Sequence, residues 1–128
     1  MRKIILMGLT AMMLVGCATP HPVRNITAEP VVGPAGRAVS IDEVGKAILR
    51  AGATRGWQMK LMEPGYIVGT LNVRSHVAIV DVRYTTKNYS ITYKNSTNLN
   101  YDGTNIHSRY NSWISNLDHA IKAQLATL

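Results

Sequence analysis

Between residues 57 and 93 the chain alternates apolar and polar positions, and only short turn-forming stretches interrupt the pattern. Trp57, Met59 and Leu61 share one parity in 57–63, Ile67, Leu71 and Val73 share one in 66–74, and Tyr89, Ile91 and Tyr93 share one in 89–93. Strand side chains point alternately to two faces, so a period of two predicts strands with one covered side. The run His76–Tyr84 (HVAIVDVRY) is apolar on both parities in its middle, as in a central strand. Pro64-Gly65 fits the centre of a type II turn, and Thr85–Asn88 forms the next reversal. Connections this short force antiparallel neighbours. Gly69 is a candidate bulge.

Helical patterns flank the strands. Ser40-Ile41-Asp42-Glu43 reads as a capping box, and the two acids suit the positive end of a helix dipole. Val44, Ala47, Ile48 and Ala51 then fall on one face, with Gly52 and Gly56 as stops, which predicts a helix over 41–54. Tyr110, Trp113, Ile114, Leu117, Ile121 and Leu125 predict a second over 108–126, with Asp118 and Lys122 as an i, i+4 pair. Between strands and helix, 95–106 is polar, with Asp102-Gly103 as a tight turn. The order α-β-β-β-β-α gives an α+β fold: an antiparallel four-stranded sheet with two helices packed on one face. It occupies 40–128. Residues 18–39 hold four of the five prolines plus Gly33 and Gly36, and read as a semi-extended tether in which Val31-Val32 adds a short edge strand.

The amino terminus has a different grammar. Arg2-Lys3 precedes an apolar run, Ile4–Val15, too short for the roughly 20 residues of a membrane-spanning helix. A basic start, a short apolar run and a small residue describe a secretory signal, 1–16. Leu14-Val15-Gly16-Cys17 resembles the lipobox of bacterial lipoproteins. The resemblance implies cleavage before Cys17, a thioether-linked diacylglycerol and an acylated (palmitate-type) amino terminus, leaving 17–39 as a lipidated tether. Ala18, where an Asp would retain an enterobacterial-type lipoprotein at the inner membrane, favours the outer membrane, facing the periplasm or, as the alternative left open, the cell surface. Two or more acyl chains hold a protein stably at a bilayer.

Cys17 is the only cysteine, so the domain builds its core without disulfides. Loss of Arg2 and Lys3 lowers Lys+Arg from 14 to 12 against 7 Asp+Glu, a mature net charge of +5. That balance suits anionic envelope partners (lipid headgroups, glycolipid phosphates, peptidoglycan carboxylates), or serves solubility alone. Nucleic acid is not a partner expected in that compartment.

The most unusual stretch is 84–113, where Tyr84, Tyr89, Tyr93, Tyr101, Tyr110 and Trp113 lie among Asn88, Asn95, Asn98, Asn100, Asn105 and Asn111. Aromatic faces stack on sugars and amides bond hydroxyls, so Tyr89, Tyr93, Asn98, Tyr101 and Trp113 are candidates for a binding surface. The competing reading is core plus turns: the chain has no Phe, so Tyr must fill the core, and Asn tolerates left-handed turn backbone. His21, His76, His107 and His119 show no ligand spacing, and neither metal nor cofactor is expected. His107 immediately precedes the last helix, as a capping or a loop residue. Asp81 interrupts an apolar strand and has Arg83 and Arg74 as expected partners. No nucleophile elbow, P-loop or metalloprotease motif is present.

Ala51-Gly52, Arg55-Gly56-Trp57, Tyr89–Tyr93, Asn98-Leu99, Ile106-His107 and Tyr110-Asn111 with Trp113-Ile114 resemble a family of small uncharacterised lipoproteins of Gram-negative bacteria, over about 40–126. The resemblance implies envelope location and a compact α+β fold, and brings no activity. The expectation is a non-enzymatic, membrane-anchored module binding a protein partner or a wall or glycolipid component. The alternatives are a structural subunit of an envelope complex pairing through a strand edge, or a small hydrolase using Asp81 or His107. Oligomeric state is left open.

Overall fold

The computed structural model describes residues 20–128. The signal segment 1–16 and Cys17 lie outside the described residues. The elements are β1 (Pro20–Pro22), β2 (Ile26–Pro30), α1 (Ile41–Thr54), β3 (Gln58–Glu63), β4 (Tyr66–Val73), β5 (His76–Tyr84), β6 (Asn88–Thr97), β7 (Asn105–His107) and α2 (Ser108–Leu125).

The α+β class holds, but the sheet has five strands in the order β2-β6-β5-β4-β3, all antiparallel, with β1 and β7 forming a second, two-stranded sheet. Two strands thus come from the stretch read as a tether. Proline misled the reading because it is excluded from strand interiors but tolerated at edges. Pro30 closes edge strand β2, and Pro20 and Pro22 lie in β1 opposite His107 and Asn105. A bulge at Ala28, with φ of 48°, breaks the alternation that would have revealed β2, and the Ala28 amide donates to Ser90 Oγ at 3.0 Å. Side chains fasten the segment further. Asn111 accepts from the Arg24 amide and donates to the Pro22 carbonyl, both at 2.9 Å, while the Tyr93 amide donates to Asn25 Oδ1 at 3.0 Å. Among the described residues the domain therefore starts at Pro20, not Ser40.

α1 follows its sequence. Ser40 accepts from the Glu43 amide, Glu43 reaches back to Ser40, and Arg37 pairs with the Glu43 carboxylate. The helix stops at Thr54, and two residues on Gly56 turns the chain with a φ of +78°, which side-chain-bearing residues rarely adopt. Gly52 does not stop it. It lies within the helix because Met59 of β3 passes so close that a Cβ there would meet Met59 Cγ at 2.2 Å.

Both helices cover one face. Ile67, Leu71, Ala78, Val80, Val82, Tyr84, Tyr89 and Ile91 line it and are buried, Gly45 of α1 sits against the Tyr84 ring, and Tyr89 meets α2. Val44, Ala47, Ile48 and Ala51 from α1 and Ile114, Leu117, Ile121 and Leu125 from α2 complete the core. The opposite face is open. There Asp81 accepts from the Tyr66 hydroxyl at 2.5 Å and pairs with Lys94 at 3.4 Å. Neither expected arginine is its partner: Arg83 lies over the Tyr66 ring at 4.1 Å, and Arg74 is carried into the β4–β5 turn with φ of 55°.

The sheet is tied to α2 by one polar chain. The Tyr89 hydroxyl donates to Asp118 Oδ1 at 2.5 Å, Lys122 donates to Asp118 Oδ2 at 3.0 Å, and Lys122 also pairs with Glu29 of β2 at 2.7 Å. Burial, reinforced by the bond to Asp118, pushes the Tyr89 phenol far above its ordinary value, so it remains a donor. Removing that donor leaves a buried carboxylate oxygen unsatisfied, which costs about 1–3 kcal/mol. Tyr89→Phe is therefore expected to lower unfolding stability by about that much in urea titration. An unchanged midpoint would mean that Asp118 finds another donor.

Candidate functional site

The segment between β6 and α2 is polar, yet its backbone is tightly specified. Asn98 and Asn100 hold left-handed φ of 58° and 52°, as Asn readily does, and between them Leu99 is buried. The Leu99 carbonyl accepts from the His107 amide at 2.9 Å. At the Asp102-Gly103 turn the Asp102 carboxylate accepts from the amides of Asn105 at 2.7 Å and Thr104 at 2.9 Å. These two bonds hold its carboxyl below the ordinary carboxylate range.

On this frame sits an aromatic cluster. Tyr93, in the middle of β6, stacks on Tyr101 with ring centroids 4.0 Å apart, and meets Tyr110 edge-on at 5.7 Å. Tyr101 is 41% exposed, so the stacked pair shows its outer face to solvent. The Tyr93 hydroxyl shares a hydrogen bond with Ser96 Oγ at 2.7 Å. Tyr110 is fully buried, and among the described residues its hydroxyl has no hydrogen-bond partner. Asn98 donates to Ser75 Oγ at 2.9 Å, and the Asn98 carbonyl accepts from His76 Nδ1 at 2.6 Å. His76 lies 5.9 Å from His107 and 6.4 Å from the half-buried Trp113, ring to ring. Trp113 also borders a cleft of about 300 Å³ shared with Thr54, Arg55, Trp57, Leu71 and Asn116.

Four of the five candidates, Tyr93, Asn98, Tyr101 and Trp113, thus lie on the loop side of β6 and the first turns of α2. Tyr89 does not belong with them. It is fully buried under α2, where its hydroxyl meets Asp118, whereas Tyr93 on the same strand face lies only partly covered. Tyr110 is core as well, as the core-plus-turns reading expects of both, while Tyr101 is part-exposed. Sequence spacing gave no hint of His76 beside His107. β5 and β7 do not pair, and only the 95–107 loop brings the two rings together. A separate shallow cleft of about 350 Å³ lies between Val32 and Leu125, with the Lys122–Glu29 pair in its wall and no aromatic ring.

His107 caps α2: its Nδ1 accepts from the Arg109 amide at 3.1 Å. That bond requires an unprotonated Nδ1, which places the neutral ring's proton on Nε2. Burial, with His76 and Arg109 nearby, holds the imidazole below its ordinary value.

No protein-family model, no curated protein and no solved structure matches this chain.

The folded chain binds the His107 proton more weakly than the unfolded chain. This contribution to stability is complete above the ordinary imidazole range and is lost as pH falls through that range toward the folded value. Thermal melting is expected to drop between about pH 7.5 and about pH 5, and to drop less in His107→Asn, which keeps a side-chain cap that does not titrate. Equal drops in both proteins would refute the cap's role.

Proposed function

We propose that the protein is a non-enzymatic, lipid-anchored envelope module that uses the Tyr93–Tyr101 face, with Asn98 and Trp113 beside it, to bind a partner protein or a wall or glycolipid component. The lipobox-like 14–17 segment and the sorting residue Ala18 support an outer-membrane lipoprotein facing the periplasm. The observation that carries the binding role is the stacked pair: Tyr101 is a large, part-exposed ring held rigidly against Tyr93. A rigid aromatic face loses little conformational entropy on binding, which suits flat apolar surfaces such as sugar rings. The hydrolase alternative draws little support, because Asp81 is engaged with Tyr66 and Lys94 and His107 is engaged as a cap.

One further observation favours the structural-subunit reading. The outer edge of β3 is unpaired among the described residues, and its Leu61 and Met62 are about half exposed, at 49% and 50%. Such an edge can accept a strand from another chain.

Retention on purified peptidoglycan and photo-crosslinking in intact envelopes test the binding role. At about 0.3 M salt the Debye length is only ~6 Å, so retention there reflects a site rather than net charge. Tyr101→Ala and Trp113→Ala are each expected to cut retention or crosslinking at least about tenfold, the loss of one well-packed aromatic contact, with little change in melting. Variants that bind as the parent does would remove the aromatic face from the function. Variants with unaltered folding that lose only crosslinks would identify a protein partner.

A further inference from the structure

We infer that the end of the domain formed by β1, β7 and the first turn of α2 rests on the membrane and contacts anionic lipid headgroups. This deepens the proposed function and rests on its reading of Cys17 as the lipid anchor.

The geometry is set by chain length. Cys17 is three residues before Pro20, and an extended chain spans at most about 3.3–3.6 Å per residue, so the two lie within about 11 Å. Pro20 is not free: it is paired with His107 at the start of α2. Had 17–39 been a loose tether, the domain could stand well off the bilayer in any orientation. With the chain fastened from Pro20 onward, an acylated Cys17 brings this one end to the headgroup layer.

The chemistry of that end agrees. Arg24 is exposed and held to α2 by the hydrogen bond its backbone N–H donates to Asn111 Oδ1. Arg109 is exposed in the first turn of α2, and Arg74 is exposed in the β4–β5 turn, next to Ser75 and His76. Among the described residues the ion pairs are Arg37–Glu43, Lys94–Asp81, Lys122–Glu29 and Lys122–Asp118, and none of them uses these three arginines. The nearby acid, Asp102, is occupied by the amides of its own turn. The opposite end is mixed in sign, with Asp42, Glu43 and Glu63 beside Lys46 and Lys87. Trp113 and Tyr101 add aromatic bodies with polar tips, the side-chain type enriched at membrane–water boundaries. Each basic residue close to an anionic surface raises affinity roughly fivefold.

The test uses the full-length chain extracted from membranes and reconstituted in vesicles of phosphatidylethanolamine with phosphatidylglycerol. Intact mass first establishes whether Cys17 is acylated; an unacylated Cys17 would overturn both the anchor and this inference. An environment-sensitive fluorophore is then placed through Ser112→Cys, near the start of α2, or through Lys87→Cys, in the β5–β6 turn. Headgroup-labelled quencher lipid is expected to quench the first several-fold more than the second. The triple variant Arg24→Ala, Arg74→Ala, Arg109→Ala is expected to reduce the difference in quenching between the two sites, without abolishing it, while the acylated protein stays in the membrane. Equal quenching at the two sites of the parent, on an acylated protein, would overturn the orientation and leave the anchor standing. Preferential quenching at Ser112→Cys that is the same in neutral phosphatidylcholine and in the triple variant would overturn the role of anionic headgroups.

Discussion

A buried carboxylate organises this fold. Asp118 sits beneath the sheet with the Tyr89 hydroxyl on one oxygen and Lys122 on the other, and Lys122 continues to Glu29 on the edge strand. A buried charge is tolerated only when its lone pairs are satisfied, so the register of β6, the rotation of α2 and the docking of β2 are fixed together. The absence of Phe makes such devices necessary. Each core ring is a tyrosine or tryptophan, and each brings a polar atom that must be accommodated. Tyr89 has Asp118, while Tyr84 has the space left by Gly45, where a Cβ would stand 2.5 Å from its hydroxyl oxygen.

Much of this was legible from residue spacing. The capping box at Ser40, the helix over 41–54, the turn at Pro64-Gly65 and the central strand 76–84 all rest on local rules, and the structure has each of them. What spacing missed is non-local. β1 and β2 were hidden because three prolines and a bulge erase the period of two, and edge strands tolerate both. Nearby sequence offers Asp81 two arginines, but Lys94 reaches it from β6 and Tyr66 from β4, across neighbouring strands. The candidate surface was half visible: Tyr93, Asn98, Tyr101 and Trp113 gather where composition suggested, whereas Tyr89 is core and His76 was not paired with His107.

The added strands change the functional picture more than the fold. A domain beginning at Ser40 behind a long tether could reach a ligand far from its anchor. A domain that incorporates the chain from Pro20 leaves almost no slack between a lipid at Cys17 and the folded body. The aromatic face, His107 and the exposed arginines lie at the end nearest that point, so under the proposed anchoring the ligand would be met close to the bilayer. Asn111 is central to this arrangement, because its side chain clamps both Pro22 and Arg24 to α2.

Amide hydrogen exchange tests that claim most directly. The Val23 amide bonds the Thr104 carbonyl at 3.0 Å, and the Val31 amide bonds the Lys87 carbonyl at 2.9 Å. If the amino-terminal segment is part of the fold, both exchange with protection approaching that of β5 and β6, and Asn111→Ala speeds Val23 selectively. Exchange of both amides at unprotected rates, with the core still slow, would restore the free tether and remove the basis for a membrane-facing end.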